Sequence, residues 1–207
     1  MIVTDIIPQK KNPSKQNIYI DHVFAFALIA QDVRYFKLRV GEEVAQETYD
    51  FIQENLIYIK AQDTALRYLG YRMRTEAEIR KKLAEQAFSE ETIEQVLVFL
   101  RKYGYCDDQV YARSFIRERL RLQPKGAYAL KMELRQKGVP EQVIAEVLAE
   151  TQIDEVADAV AWIVRKTRGR CPTEEKEKKR LYAFLQRKGY HWDVIAEAFR
   201  LAEGREV

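Results

Sequence analysis

Cysteine and histidine are nearly absent, with two of each in 207 residues. Cys106 and Cys171 lie far apart, and His22 and His191 fall in unrelated segments. No spacing among them suits a zinc site, a disulfide framework or a nucleophile with its base. The scarcity fits a cytoplasmic protein, and the histidines read as ordinary surface or interface residues. Glycine (8) and proline (5) are also few, which argues against many tight turns and for helix; no glycine-rich phosphate loop can be found. Long apolar runs are missing: the best stretch, 23–30, falls far short of the roughly 18 residues a membrane helix needs. The apolar segment 1–8 precedes Lys10 and Lys11, the reverse of a signal peptide. Charge of one sign is lacking as well. With 35 basic against 32 acidic residues the net charge is +3, so where the cations sit matters more than how many there are.

What the chain does have is a period. Ile79, Leu83, Ala87, Phe88, Ile93, Val96 and Leu97 are matched 51 residues on by Leu130, Leu134, Gly138, Val139, Ile144, Val147 and Leu148. Another 51 residues on stand Leu181, Leu185, Gly189, Tyr190, Ile195, Ala198 and Phe199. Steps of three, four and five are those of two short amphipathic helices joined by a turn. A further helix precedes each pair, giving three-helix units over 61–106, 107–152 and 153–207. In the first, helices are expected over 61–71, from Glu76 and after Ser89. Thr75 followed by Glu78 forms a capping box, Ser89 with Glu90 and Glu91 suits a helix start, and Gly104 suits a left-handed helix end. In the second, Asp107 and Asp108 read as a helix start and not as a metal or acid–base pair. Val110, Tyr111, Phe115, Ile116 and Leu120 follow, Pro124 and Gly126 break the helix, 127–137 form the next, and Pro140 opens the third at its first position. In the third, a helix over 154–168 carries Val156, Val160, Ile163 and Val164 inward; Thr173 starts the next, 192–202 form the last, and 204–207 read as a frayed tail.

Residues 1–60 lie outside the period. Segments 2–7, 17–21 and 23–29 read as short antiparallel strands around a break at Asp21 and His22. A helical turn over 32–38 and an amphipathic helix over 42–60, with Val44, Tyr49, Ile52, Leu56 and Ile59 on one side, follow. The fold class is therefore mainly α: three tandem three-helix repeats in an elongated array, after a small strand-containing segment.

No catalytic constellation emerges, and the cations carry most of the functional signal. Each unit is basic where its first helix meets its second: Arg67, Arg72, Arg74, Arg80, Lys81 and Lys82; Arg113, Arg117, Arg119, Arg121 and Lys125; Arg165, Lys166, Arg168 and Arg170. Stacked units could align these corners to meet phosphates or an acidic protein groove; against that, many have a glutamate nearby and a charged helix face is usually only solvated. Tyr68, Tyr71, Tyr103, Tyr105, Tyr111 and Tyr128 flank cations and could stack on bases, but core filling is their expected role.

The string RTEAEIRKKLAEQAFSEETIEQVLVFLRKYGYCDDQVYARSFIRERL from Arg74, and KGAYALKMELRQKGVP from Lys125, resemble the RecX regulatory protein family. The matching features are Arg74, Glu76 to Leu83, Gly104 with Asp107 and Asp108, Tyr111-Ala112, Lys125-Gly126, Glu133-Leu134-Arg135 and Lys137-Gly138. The stretch NIYIDHVFAFAL is similar to that family's strand-bearing extension. Pro124 and the pair Gln86-Ala87, where Lys-Gly is expected, depart from its pattern. The resemblance implies three tandem three-helix units and a protein that is no enzyme and needs no cofactor or metal. It implies binding to the RecA recombinase and its filament on single-stranded DNA, with inhibition of ATPase, strand-exchange and coprotease activities. That would place the chain in the control of homologous recombination, DNA repair and the SOS response, as a cytoplasmic monomer with weak direct DNA contact. The expected contact residues are Arg72, Arg74, Arg113, Arg119, Arg121, Lys125, Arg168 and Arg170. The rival reading is a helix-turn-helix-like DNA-binding module acting independently of RecA; a structural adaptor is a third.

Overall fold

The structure is a computed structural model that describes residues 1–10, 12–170, 172 and 174–203. Thr173 as a helix start and the tail 204–207 lie outside these residues. Two compact units are present, Met1–Asp107 and Asp108–Val207.

The first unit opens with an antiparallel sheet in the order β1 (Val3–Pro8), β2 (Lys15–Ile20), β3 (Val23–Ile29). Ile20 pairs with Val23, so Asp21 and His22 are a two-residue hairpin turn. Both have positive φ, 49° and 66°, the twist that matches a right-handed strand pair. Asp21 also accepts a hydrogen bond from the Ile2 amide at 2.9 Å, which ties the turn to the start of β1. The inward face buries Val3, Ile18, Phe26 and Leu28 against Val33 of α1 (Ala30–Tyr35) and against Ile52 and Ile57.

The expected break near residue 60 is absent. α2 (Gln46–Ile52), a π-helical turn (Gln53–Ile57) and α3 (Tyr58–Leu69) run on as one helix. The π-turn inserts an extra residue per turn, so the buried stripe steps by five, from Ile52 to Ile57, before returning to Ala61 and Ala65. Sequence reading with a constant period placed Ile59 inward, but it is 52% exposed. The sheet is thus spliced to the first three-helix unit, and Phe88 packs against both cores.

α3 packs with α4 (Glu76–Ala84) and α5 (Glu90–Lys102). The second unit holds α6 (Asp108–Leu122), α7 (Ala127–Gln136) and α8 (Glu141–Glu150), then α9 (Glu155–Thr167), α10 (Glu175–Arg187) and α11 (Trp192–Glu203). Thr75 and Ser89 cap α4 and α5 by accepting from the Glu78 and Thr92 amides. Pro140 sits one position earlier than expected, at the N-cap of α8 with ψ 142°; its ring prevents it from continuing the preceding turn. Val164, expected inward, is 39% exposed.

The 51-residue period marks a helix-stop motif. Phe88, Val139 and Tyr190 donate their amides to the carbonyls of Leu83, Leu134 and Leu185, at 3.3, 3.1 and 3.2 Å. Between them Ala87, Gly138 and Gly189 have φ of 61°, 77° and 89°. This is a Schellman closure: the leucine caps its helix from the core side, and the following apolar residue folds back beside it. Ile93, Ile144 and Ile195 then begin the buried stripe of the next helix.

Candidate functional site

In the first repeat the basic corner is largely neutralised. Arg72 donates to Glu78 at 3.0 Å. Arg101 bridges Glu76 and Glu94, each at 2.8 Å, and Arg80 reaches Glu90 and Glu94. The Arg74 guanidinium lies 3.9 Å from the centre of the Tyr68 ring, while its own carbonyl faces the buried Cys106 thiol at 3.5 Å. These contacts make the corner a clamp between α3, α4 and α5. The nearby tyrosines do not fill the core as expected: Tyr71, Tyr103 and Tyr105 are 86%, 59% and 54% exposed. Phe99, Tyr103 and Tyr105 cluster at the end of α5, with Phe99 stacked on Tyr105 and Tyr103 tilted against both.

In the second repeat Arg113 is occupied by Glu150 at 2.9 Å, stapling α6 to α8. Arg121 lies exposed in the last turn of α6. Arg119 and Lys125 converge on one carboxylate, Glu133 of α7, with Arg119 at 2.8 Å. Burial opposes ionisation of Glu133, but hydrogen bonds from Lys125 and Arg119 outweigh it and hold the carboxyl below the usual glutamate range. The Arg119 guanidinium also lies 4.8 Å from the Phe115 ring centre.

The third repeat docks onto this corner through backbone. The Gly126 amide donates to the Lys188 carbonyl at 3.0 Å. A Cβ at Gly126 would stand 2.2 Å from the Gly189 carbonyl oxygen, and one at Gly189 would stand 2.4 Å from the Ala129 Cβ. Only hydrogen atoms fit at these two places. The Trp162 indole N–H donates to the Pro124 carbonyl at 2.9 Å, and Glu155 accepts from the Ala127 amide at the start of α7.

This docking delivers further cations. The Lys188 ammonium lies 4.5 Å from the Trp162 ring centre and 5.7 Å from that of Phe184. Lys166 lies 4.8 Å from the Phe184 ring and Arg165 5.4 Å from the Trp162 ring. Burial, then Lys125, Lys166 and Arg119, push the Lys188 ammonium below the ordinary lysine range, while Glu133 alone acts the other way. Arg119, Lys125, Lys166 and Lys188 thus gather around Glu133, two of them paired with it and two resting on aromatic faces. Of the eight expected contact residues, the fold brings Arg119 and Lys125 into this cluster. Arg72, Arg74 and Arg113 have separate partners, Arg168 is the exposed left-handed C-cap of α9, and Arg170 pairs with Glu177 at 3.4 Å. Sequence reasoning passed over Lys188 and Trp162. The signal for Lys188 was present, since Lys137-Gly138 and Lys188-Gly189 repeat in the period. Nothing in the sequence marks Trp162 as its platform.

Among the described residues no three His, Cys, Asp or Glu side chains gather as a metal site, and no helix is long and apolar enough to cross a membrane. An N-terminal sheet followed by tandem three-helix units, with charge concentrated at a joint, defines a helical-repeat protein. Family models for the first, second and third three-helix domains of RecX match residues 61–100, 107–148 and 153–199, and the regulatory protein RecX N-terminal domain matches 1–45. The regulatory protein RecX of Clostridioides difficile is 31% identical over 94% of this chain and 92% of its own length. That of Clostridium acetobutylicum is 32% identical, over 96% and 94%. A crystal structure of a regulatory protein RecX superimposes with a TM-score of 0.64 at 29% identity, covering 99% of both chains. The chain belongs to the RecX family of regulatory proteins.

Proposed function

We propose that this protein regulates the RecA recombinase by stoichiometric binding. It attaches to RecA or to its filament on single-stranded DNA and inhibits ATP hydrolysis, strand exchange and coprotease activity, without chemistry of its own. The observation that carries the reading is likeness to regulatory proteins named RecX over nearly the whole chain, sheet and all three helical units together. Tandem units support it physically, because several weak contacts on linked modules sum to useful avidity. In this reading the protein acts in the cytoplasm as a monomer, and the joint around Arg119, Lys125 and Lys188 is its contact surface.

The test is the rate of ATP hydrolysis by RecA on single-stranded DNA as the protein is titrated in. Loss of hydrolysis at or below one protein per RecA subunit is expected. Unchanged hydrolysis with folded protein and RecA of the same organism would refute the reading. A second function, DNA binding without RecA, is favoured by one observation, the gathering of Arg119, Lys125, Lys166 and Lys188 between the second and third repeats.

A further inference from the structure

We infer that the joint between the second and third repeats is a phosphate-binding site for a single-stranded nucleic acid backbone, formed by Arg119, Lys125, Lys166 and Lys188. The inference deepens the regulatory reading by naming the ligand of its contact surface, yet its test needs no recombinase.

Four observations converge. Charge comes first: Lys125, Lys166 and Arg119 all act on Lys188, against one carboxylate, Glu133, which already accepts from both Lys125 and Arg119. An anion arriving there meets four cations that share this one carboxylate. Access comes second. Arg119 and Lys125 keep 37% and 21% of their side-chain surface open, so the cluster is partly sheltered from screening water yet reachable.

Placement is the third. Lys188 takes no carboxylate partner among the described residues; its ammonium rests on Trp162 and Phe184, and aromatic faces leave its N–H groups poorly satisfied. A phosphate oxygen supplies the acceptors those groups lack. Preorganisation is the fourth. The Lys188 main chain is fixed by the Gly126 amide at 3.0 Å and by the glycine-to-glycine approach beneath it, so little ordering of that backbone remains when the anion binds. The chemistry fits a phosphodiester better than a base: Trp162 and Phe184 are already covered by ammonium groups and meet edge to face at 5.4 Å. An oligonucleotide strand adds a neighbouring phosphate for Arg165, which lies over the Trp162 ring, and a free phosphate cannot.

The experiment measures binding of a fluorescein-labelled oligothymidylate to the full chain by anisotropy across a salt series, without RecA. Tripolyphosphate serves as the free-phosphate probe. Lys188→Gln, Lys125→Gln/Lys188→Gln and the control Lys176→Gln are compared, each shown folded by circular dichroism. Trp162 emission is followed in a Trp192→Phe background as a local reporter. Expected results are a 3- to 10-fold loss of strand affinity in Lys188→Gln, a larger loss in the double variant, and a salt slope flattened by about 0.7 per lost phosphate contact. Lys176→Gln should match the parent, and Trp162 emission should shift on strand binding. Equal affinity and slope in folded Lys188→Gln and the double variant would overturn the inference. Binding of tripolyphosphate with no binding of the strand would overturn the strand as occupant. Binding of neither probe would assign the joint to an acidic protein surface instead.

Discussion

Ala87 adopts φ 61° where its counterparts Gly138 and Gly189 adopt 77° and 89°. A left-handed conformation costs a residue with a Cβ roughly 1–2 kcal/mol, partly offset by the greater freedom of glycine in the unfolded chain. Ala87→Gly is therefore expected to stabilise the protein by about 0.5–1 kcal/mol, read as a raised urea midpoint; Gly138→Ala should lower it by a similar amount. Glu133 gives a second residue-scale prediction. Its carboxyl is held below the ordinary range by Lys125 and Arg119 in the folded protein. A folded value below the unfolded one means stability that is present above the unfolded range, near 4.3 for glutamate, and lost as pH falls through the lower folded value. The stability gap between the parent and Glu133→Gln should shrink as pH drops below about 4, measured by denaturant unfolding. Individual residues were unevenly legible. The leucines and isoleucines of the period are buried as expected, save the partly buried Leu148, because burial follows spacing. The partner of each arginine was not legible, since Arg119 and Glu133, or Arg113 and Glu150, meet only when separate helices pack.

The elements were read well where local chemistry fixes them. Thr75 and Ser89 cap helices because a side-chain oxygen answers an unpaired amide. Thr75 is fully buried and accepts from Glu78, so Thr75→Ala should cost about 1–2 kcal/mol, visible as a lower thermal midpoint, with the Glu78 amide losing protection from hydrogen exchange. β3 was legible from VFAFALI bounded by a turn. The helix from Gln46 to Leu69 was misread as two because its π-turn resets the phase at residues 53–57, which no constant period can represent. Gly126 was read as a helix breaker. Its larger role, as a floor for Gly189, depends on residues far away in sequence. Gly126→Ala should destabilise the second unit by about 3 kcal/mol or more, since a Cβ would meet backbone and not a movable side chain; the denaturation curve is the measurement, with Gly104→Ala as a comparison that lacks the clash.

For the whole molecule, the family and the tandem plan were legible because a duplicated motif repeats in register and carries its turn chemistry with it. The proposed contact surface was not, because it forms where an inner corner of one repeat meets an inner corner of the next: Lys125 and Lys188 come together only after docking. Regulation and charge can then be joined in one measurement. In RecA ATPase titrations, Lys125→Gln/Lys188→Gln is expected to need several-fold more protein for half inhibition than the parent. The difference should narrow as salt rises toward 0.3 M, where the Debye length is about 6 Å. Equal half-inhibition at low salt would detach the joint from recombinase regulation while leaving its RecA-free DNA binding to be judged separately.

The facing glycines have a mechanical consequence. Side-chain interfaces yield a little under load, since rotamers can turn, but where Gly126 lies against Gly189 there is only main chain on both sides. A tilt of an ångström between the second and third repeats would strain or part the amide of Gly126 from the carbonyl of Lys188, and the Trp162 indole from the carbonyl of Pro124. The joint works as a gauge with almost no play: its charges stand in register only while the two repeats keep one angle. A partner that bends this unit would thereby alter the proposed anion site.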